Sequence, residues 1–263
     1  MKVIEINLRR DVPVPMTENR RNDCNWCGLR RVCFPGRLRA DPRIGPGPLG
    51  IRRVHVARGR AVYRAGERLD AFHMVRSGCI METERAGALD SILEFRLPGE
   101  LLTVQGPAGT RSRITGLAVE PSFVCALPWR VFYGVCAKFP AVTGEFVQVL
   151  AKSAAGTREL LSAVRDKGAL ARVAAFLASL GARMQSRGLP ADEVRLSMGR
   201  AQIAGYLGLR SETVSRCFSE LERRGIVAVR AKRIRVLSAE RMRRLAQVDR
   251  SPAEPPRPAA PDA

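Results

Sequence analysis

The sequence predicts an α+β fold in three parts: an N-terminal antiparallel β-roll, one long helix, and a C-terminal winged helix-turn-helix. Three observations lead to this prediction. Short segments of alternating apolar and polar residues, separated by turn residues, fill 51–130. The apolar period changes to three and four residues near residue 139, as in a helix. Two short helical segments and a basic hairpin follow from residue 200.

Composition points to an anionic partner. The 263 residues carry 45 Lys and Arg against 25 Asp and Glu, a formal net charge of +20, which favours nucleic acid. No run reaches the roughly 18 uncharged apolar residues of a membrane span, and the first residues lack the apolar core of a secretory signal. We therefore expect a cytoplasmic protein with reduced thiols and no membrane partner.

Composition and periodicity divide the chain into five segments. They are a cysteine-bearing segment (1–50), a β-roll sensor domain (51–137), a dimerisation helix (138–168), a winged helix-turn-helix domain (169–245) and a Pro/Ala-rich, disordered tail (246–263). Within the roll, seven segments alternate like strands: 53–56, 61–63, 71–75, 79–81, 92–95, 114–119 and 123–127. Glycines such as Gly59, Gly66 and Gly78 mark the turns between them.

The long helix has apolar residues on two faces. Residues at intervals of three and four form a coiled-coil seam: Val147, Leu150, Ala154, Thr157, Leu161 and Val164. Val142, Phe146 and Val149 belong to a second stripe on an adjacent face. A helix with two apolar faces must bury both, so we predict that one packs on the roll and the other on a second copy of the chain. One wide stripe in a monomer core is the alternative.

The segment from Arg200 to Phe218 has the pattern of a helix-turn-helix. Ala204 is small where two helices cross, Gly208 supplies a left-handed turn, and Ser211 can cap the second helix. Core positions are assigned to Ile203, Leu207, Val214, Cys217, Phe218 and Leu221. The opposite face of the second helix is polar and suits a major groove: Arg210, Glu212, Thr213, Ser215, Arg216 and Ser219.

A basic hairpin follows this motif. Two short predicted strands, 226–229 and 234–237, flank the tip Arg230–Arg233, and this pattern predicts a wing. Basic and hydroxyl side chains around the motif are expected to contact phosphates, which sets affinity rather than sequence preference. They are Arg210, Thr213, Arg223, Arg224, Arg230, Lys232, Arg233 and Arg235.

Seven cysteines in a reducing compartment favour metal ligation or burial over disulfides. Cys24, Cys27 and Cys33 have the spacing C-x2-C-x5-C, and Cys125 lies on a predicted strand. Four thiolates can hold a [4Fe–4S] cluster, but structural zinc is a rival that spacing alone leaves open. Arg30 and Arg31 would favour thiolate over thiol.

The roll, the long helix and the winged motif from Gly208 to Arg216 together resemble the CRP/FNR superfamily of bacterial transcription regulators over about residues 24–245. Its roll is of the cyclic-nucleotide-binding type. The N-terminal cysteine spacing, with a fourth cysteine ahead of a proline, resembles the FNR-type branch. That resemblance implies that Cys24, Cys27, Cys33 and Cys125 ligate a [4Fe–4S] cluster that oxygen degrades, and that the cluster-bearing form dimerises and binds DNA.

The resemblance also implies a DNA site and a further partner. Glu212, Ser215 and Arg216 match the branch's Glu-x-x-Ser-Arg and imply TTGAT-like half-sites in an inverted repeat. It implies contact with RNA polymerase through exposed loops of the roll, near residues 82–90. A cyclic nucleotide is not expected, because Val104 stands where cyclic-nucleotide binders carry a glutamate, although Arg111 and Ser112 could mimic their Arg-Ser pair.

Two other hypotheses of function remain open at this point. The first is a regulator of the same fold with zinc or no metal at the cysteines, responding to another signal. The second is a redox enzyme or electron carrier that uses the thiols. An electron carrier would not need the basic wing, and two histidines with scattered carboxylates do not indicate an enzyme. The sequence therefore predicts a regulator and no catalytic residues.

Overall fold

The computed structural model describes residue 24 and residues 27–44, 49–86, 89–164, 167–188 and 193–247. The side chains of residues 86, 89 and 156–164 lie outside this description. So do the part of the cysteine-bearing segment before residue 24 and the predicted tail after residue 247.

The first part of the described chain is an antiparallel β-roll, as the alternating pattern predicted. Its strands are β1 (Arg52–Val56), β2 (Ala61–Tyr63), β3 (Arg68–Leu69), β4 (Ala71–Ser77), β5 (Ile80–Ala86), β6 (Leu89–Arg96), β7 (Thr110–Arg111), β8 (Ile114–Ala118) and β9 (Ser122–Pro128). One sheet has the order β1-β9-β4, another β2-β8-β5-β6, and β3 pairs with β7. The two-residue strands β3 and β7 were not predicted, because they are too short to show alternation.

The two larger sheets share a buried apolar cluster. Its centre includes Val56, Ile80 and Val124, each at most 1% exposed, from strands of both sheets. The turn between β4 and β5 requires Gly78, whose φ is +84°. A Cβ at this position would stand 2.2 Å from the Ser122 Oγ, so a side chain is excluded sterically as well as conformationally.

Three helices gather around a set of aromatic rings. They are α1 (Phe34–Ala40), α2 (Trp129–Lys138) and α3 (Ala141–Val164). We define the aromatic cluster as Phe34, Phe72, Trp129, Phe132 and Phe146, all buried and packed together. Helix α3 is the long helix predicted from the change of period. The helices α1 and α2 were not predicted.

The C-terminal part of the described chain is the predicted winged helix-turn-helix. Its elements are α4 (Ala169–Gln185), β10 (Glu193–Arg195), α5 (Arg200–Leu207), α6 (Ser211–Arg223), β11 (Val227–Arg230), β12 (Arg233–Val236) and α7 (Ala239–Gln247). Gly208 adopts φ +63° in the turn between α5 and α6, as predicted. The prediction that Ser211 caps α6 was wrong: Arg210 is the N-cap and makes no side-chain cap, while Ser211 is already helical. β10 and α7 were missed.

The winged domain packs directly on the roll. One continuous core contains Phe95 and Leu117 of the roll together with Phe176, Ile203 and Leu221 of the C-terminal helices. Such a shared core transmits displacements between its parts, because protein interiors are close-packed.

A buried ionic network reinforces this junction. Arg183 of α4 donates to Glu94 at 3.2 Å and to Glu100 at 2.5 Å, and also to the Phe95 carbonyl. Tyr206 of α5 donates to Glu94 at 2.9 Å. These four side chains, Glu94, Glu100, Arg183 and Tyr206, are called the interdomain clamp below.

Among the helices in the described ranges, none combines the length and apolar character that crossing a membrane requires.

Candidate functional site

The structure brings the four cysteines of the predicted cluster site to a single cavity. Cys24, Cys27 and Cys33 come from the loop before α1, and Cys125 comes from β9. We call this space the cysteine cavity. The other residues that line it are Leu29, Pro35, Ile51, Arg53, Met74, Val75 and Arg76.

The cysteine loop is a succession of tight turns. The Cys27 amide donates to the Cys24 carbonyl at 3.1 Å, and the Cys33 amide donates to the Leu29 carbonyl at 2.9 Å. Gly36 allows α1 to approach this loop, because a Cβ there would lie 2.5 Å from the Arg30 carbonyl oxygen. The turns and this close contact hold three sulfurs on one side of the cavity.

The cysteine thiols influence one another electrostatically. The pKa of Cys33 is raised to about 11, chiefly by burial and to a smaller extent by the neighbouring Cys27 and Cys125, against an opposing hydrogen bond from the Gly36 amide. Burial also raises the pKa of Cys125, although Arg76 and Arg53 oppose the shift. Without a bound cation the Cys33 and Cys125 thiols stay protonated at neutral pH. A metal centre would supply the positive charge that makes them thiolates.

The donor set of the cavity suits a thiolate-bound metal centre. Thiolate sulfur is the ligand of iron–sulfur clusters and of structural zinc, and here four sulfurs converge from two separate parts of the fold. Neither His55 nor His73 lines the cavity. The cysteines share the cavity lining, but within the described ranges no group of three or more His, Cys, Asp or Glu residues stands close enough together to hold a metal ion.

The cations beside the sulfurs are not those expected from the sequence. Arg30 and Arg31 were predicted to stabilise thiolates, but Arg53 and Arg76 line the cavity instead, and Arg31 lines a different one. Strand register explains this, since Arg53 on β1 pairs with Cys125 on β9. Only a β1–β9 pairing inferred from the sequence could have indicated that Arg53 lies beside Cys125.

The other cysteines lie away from the cavity. Cys79 is completely buried in the roll, and Cys217 is buried in α6, as predicted for a core residue of that helix. Cys136 of α2 is partly buried and packs against the aromatic cluster.

The predicted base-reading residues lie together on α6. Glu212, Ser215 and Arg216 are exposed, whereas Val214 and Phe218 on the opposite side are buried. In the described part of the chain, neither Glu212 nor Arg216 forms a salt bridge. The Ser215 hydroxyl donates to the Ser211 carbonyl at 3.0 Å. The helix therefore presents the carboxylate of Glu212 and the guanidinium of Arg216, neither in a salt bridge with a described residue, one turn apart.

The predicted phosphate-contacting residues differ in their present partners. Arg210, Arg230, Lys232 and Arg235 are exposed, and Thr213 is half-buried. Arg233 pairs with Glu193 at 3.1 Å. Arg223 and Arg224 both pair with Glu220, at 2.7 and 2.6 Å, and their hydrogen bonds lower the pKa of that carboxyl to about 2. Phosphate contact by these last two arginines would have to compete with an existing partner.

The predicted dimer seam is partly visible. Val147 is 56% exposed and Ala154 is exposed, as an unpaired seam in a single chain should be. Leu150 instead packs against the aromatic cluster. The side chains of Thr157, Leu161 and Val164 lie outside the described residues. Val142 and Phe146 of the second stripe are buried in the chain's own core, as predicted.

The residues that could mimic a cyclic-nucleotide site are engaged within the roll. Arg111 donates to the Gly66 carbonyl at 2.8 Å. The Ser112 hydroxyl is buried, donates to the Ile114 carbonyl and accepts from Gln105. Val104 is half-buried beside this pair and offers no carboxylate.

The expected polymerase-contacting loop needs a correction. Glu82 was placed at its start, but its side chain is fully buried. It accepts hydrogen bonds from Tyr63 at 2.9 Å and from Arg96 at 2.6 Å. An inward carboxylate with a buried arginine partner cannot belong to an exposed contact surface, and the sequence pattern did not reveal the partner.

Known proteins resemble this chain over most of its length. A Crp-like helix-turn-helix domain matches residues 171–245. The transcriptional regulatory protein btr of Bordetella pertussis is 30% identical over 223 residues, covering 84% of this chain and 92% of that protein. The fumarate and nitrate reduction regulatory protein of Vibrio cholerae is 28% identical over 230 residues, covering 86% and 91%.

A solved structure has the same fold. FixK2 from Bradyrhizobium japonicum superposes with a TM-score of 0.67 at 23% identity, covering 74% of this chain and 96% of that one. The domain match and the regulatory relatives make the chain a DNA-binding transcription regulator and not an enzyme. Together with the roll and the winged helix, they identify it as a member of the CRP/FNR family of transcription regulators.

Proposed function

We propose that this protein is an oxygen-responsive regulator, active in the cytoplasm, that binds DNA as a homodimer when Cys24, Cys27, Cys33 and Cys125 hold a [4Fe–4S] cluster. The convergence of these four thiols on one cavity carries the proposal. Relatives named as an anaerobic regulatory protein, in Pasteurella multocida, and as a fumarate and nitrate reduction regulator, in Vibrio cholerae, support the response to oxygen.

The residues around the cysteine cavity indicate how a bound cluster would affect the rest of the chain. When bound, the cluster supplies an oxygen-sensitive centre that joins the N-terminal loop to β9. Arg53 and Arg76 balance part of the negative charge of the thiolates. Cys33 packs against the aromatic cluster and is followed directly by α1, which lies on α3. Ordering of the loop therefore reaches the helix to which we assign dimerisation.

In this proposal the roles divide along the chain. The β-roll, residues 51–137, is the sensor domain. The helical segment 138–168 dimerises through the seam on α3, and the winged domain, residues 169–245, binds DNA. Glu212, Ser215 and Arg216 read TTGAT-like half-sites, since Arg216 can bond bidentately to guanine and Glu212 can accept from cytosine N4. Arg210, Thr213 and the wing residues Arg230, Lys232 and Arg233 contact phosphates. RNA polymerase is the protein partner, and a cyclic nucleotide is not required.

The test is anaerobic purification with iron, sulfide and zinc analysis. We expect about four irons and four sulfides per chain and a visible absorption band that air removes. Cys125→Ser should lose the iron, whereas Cys136→Ser, which changes a half-buried cysteine outside the cavity, should keep it. Under argon, wild-type protein should retain a duplex carrying an inverted repeat of the half-site, and air should release it. Stoichiometric zinc without iron, or iron retained in Cys125→Ser, would contradict the cluster.

A further inference from the structure

A second, larger cavity lies where four parts of the fold meet. Its volume is about 460 Å³. It is bounded by the cysteine loop and α1, by the end of β6 and the turn after it, by α3, and by the end of α4. We call it the arginine cavity, because its charged lining residues are Arg31, Arg37, Arg96, Lys152, Arg183 and Arg187 with Glu94 and Glu100.

The two carboxylates of the arginine cavity are already engaged. Glu100 pairs with Arg183 at 2.5 Å and with Arg187 at 2.9 Å. Glu94 accepts from Arg183 and from Tyr206. Arg96 pairs with Glu82, which lies outside the cavity lining, at 2.6 Å. The two carboxylates of the lining, Glu94 and Glu100, are therefore already neutralised by Arg183 and Arg187.

Three cations remain without such a partner. Within the described residues, Arg31, Arg37 and Lys152 form no salt bridge. Their positions are independent, because Arg31 belongs to the cysteine loop, Arg37 to α1 and Lys152 to α3. Three unpaired positive charges around one recess create a local excess that an anion would relieve.

Arg37 supplies a second and separate indication. Its Nε is buried and lacks a hydrogen-bond partner within the described chain. A buried N–H without an acceptor is unfavourable, so native proteins rarely leave one unless a water or ion accepts the bond. The orphan donor belongs to a side chain that lines the arginine cavity.

We propose that the arginine cavity binds a small multivalent oxyanion, one that carries phosphate or carboxylate groups. Guanidinium groups present paired N–H donors that match the oxygens of either group. Arg31, Arg37 and Lys152 supply the charge. This site is separate from the cysteine cavity, from the roll interior beside Val104, and from the recognition face of α6.

The position of the site gives the anion a regulatory role. An oxyanion held by Arg31, Arg37 and Lys152 bridges the cysteine loop and α1 to α3, and it lies beside Arg187 at the end of α4. It therefore stabilises the packing that joins the sensor segment to the long helix. A second signal, the concentration of an anionic metabolite, would act on the same regulator as the first.

The experiment is isothermal titration calorimetry of the anaerobically prepared full chain at low ionic strength, with inorganic pyrophosphate and citrate as the two probes. The cavity variant is Arg31→Gln/Lys152→Gln, which changes two surface-exposed side chains and leaves the core intact. The matched control is Arg230→Gln/Lys232→Gln, which removes the same charge from the wing.

We expect at least one probe to bind wild type and the wing variant alike, and the cavity variant about tenfold or more weakly. The tighter probe identifies phosphate or carboxylate as the recognised group. Arg37→Gln should weaken the same probe, with unchanged circular dichroism as the check on folding. Absence of binding to wild type, equal binding to the cavity variant, or loss confined to the wing variant would each overturn the proposal. None of these outcomes bears on the cluster or on DNA binding.

Discussion

The ring of Phe34 lies 5.1 Å from the ring of Phe146, measured between centroids. Phe34 directly follows Cys33, which lines the cysteine cavity, and Phe146 belongs to α3. Both rings are buried. One packed pair therefore joins the cavity to the helix whose adjacent face carries the exposed Val147. Because cores are close-packed, a shift of Cys33 displaces this pair and α3 with it.

Removing this ring should uncouple the cavity from the helix. Phe34→Ala deletes a fully buried side chain, which lowers the free energy of unfolding by about 3–5 kcal/mol. We expect the folded variant to bind iron but to dimerise more weakly under argon than wild type. Sedimentation velocity over a concentration series, with iron analysis on the same samples, measures both properties. Phe34→Leu keeps most of the volume and should stay close to wild type. A wild-type dimer in Phe34→Ala would argue against this route.

The interdomain clamp predicts how stability depends on pH. Burial raises the pKa of Glu100, but the guanidinium groups of Arg183 and Arg187 outweigh burial and hold the pKa below its usual 4.5. The folded protein therefore keeps this carboxylate charged at a pH where the unfolded chain has protonated it. The resulting stabilisation is complete above about pH 4.5 and is lost as the pH falls through the folded-state pKa.

Glu100→Gln should remove this contribution. We expect the free energy of unfolding at neutral pH to fall by about 3 kcal/mol, because two half-buried arginines lose a shared, buried partner. The remaining dependence on pH below 4.5 should also be smaller than in wild type. Urea unfolding of the metal-free protein across this range measures both effects. Glu240→Gln changes an exposed carboxylate paired only with Arg244 and serves as the control. Equal acid sensitivity in wild type and Glu100→Gln would contradict the role of the clamp.

Exposure of Val147 predicts the effect of a charge on the seam. Val147→Glu should leave the fold of each chain unchanged, since the side chain is 56% exposed in a single chain. It should abolish dimerisation, because two carboxylates would face one another across a helix pair. DNA binding to the inverted repeat should fall with it. Val147→Leu keeps the seam apolar and should dimerise. Dimers of Val147→Glu at micromolar concentration would place the interface elsewhere.

The sequence predicted the elements whose patterns are local. Strands β4 and β9, each seven residues long, contain the apolar segments 71–75 and 123–127, and Gly208 marks a turn that few residues can adopt. Helices α1 and α2 were missed, since they are short and depend on the aromatic cluster rather than on intrinsic preference. Tertiary packing of this kind leaves no periodic signal in the sequence.

The candidate sites show the same division between local and distant information. The spacing of Cys24, Cys27 and Cys33 is readable in ten residues, but their meeting with Cys125 on β9, which pairs with β1, is a contact made only in the folded chain. That pairing also places Arg53 beside the sulfurs. The burial of Glu82 could not be foreseen, because its partner Arg96 stands fourteen residues away across a β-bulge in the β5–β6 pair.

Residues that read bases and residues that contact phosphates should differ in how their substitution changes the salt dependence of DNA affinity. Arg216→Gln removes a proposed base-reading side chain from each protomer and should weaken binding to the inverted repeat by about 1–3 kcal/mol per half-site, while the slope of log affinity against log salt stays nearly unchanged. Arg230→Gln/Lys232→Gln should instead weaken binding to specific and unrelated duplexes alike and reduce that slope by about two for each protomer, or about four for the bound dimer. Fluorescence anisotropy with both duplexes at several salt concentrations measures the two quantities. A reduced slope with uniform loss in Arg216→Gln would assign Arg216 to the backbone and leave base reading to other residues of α6.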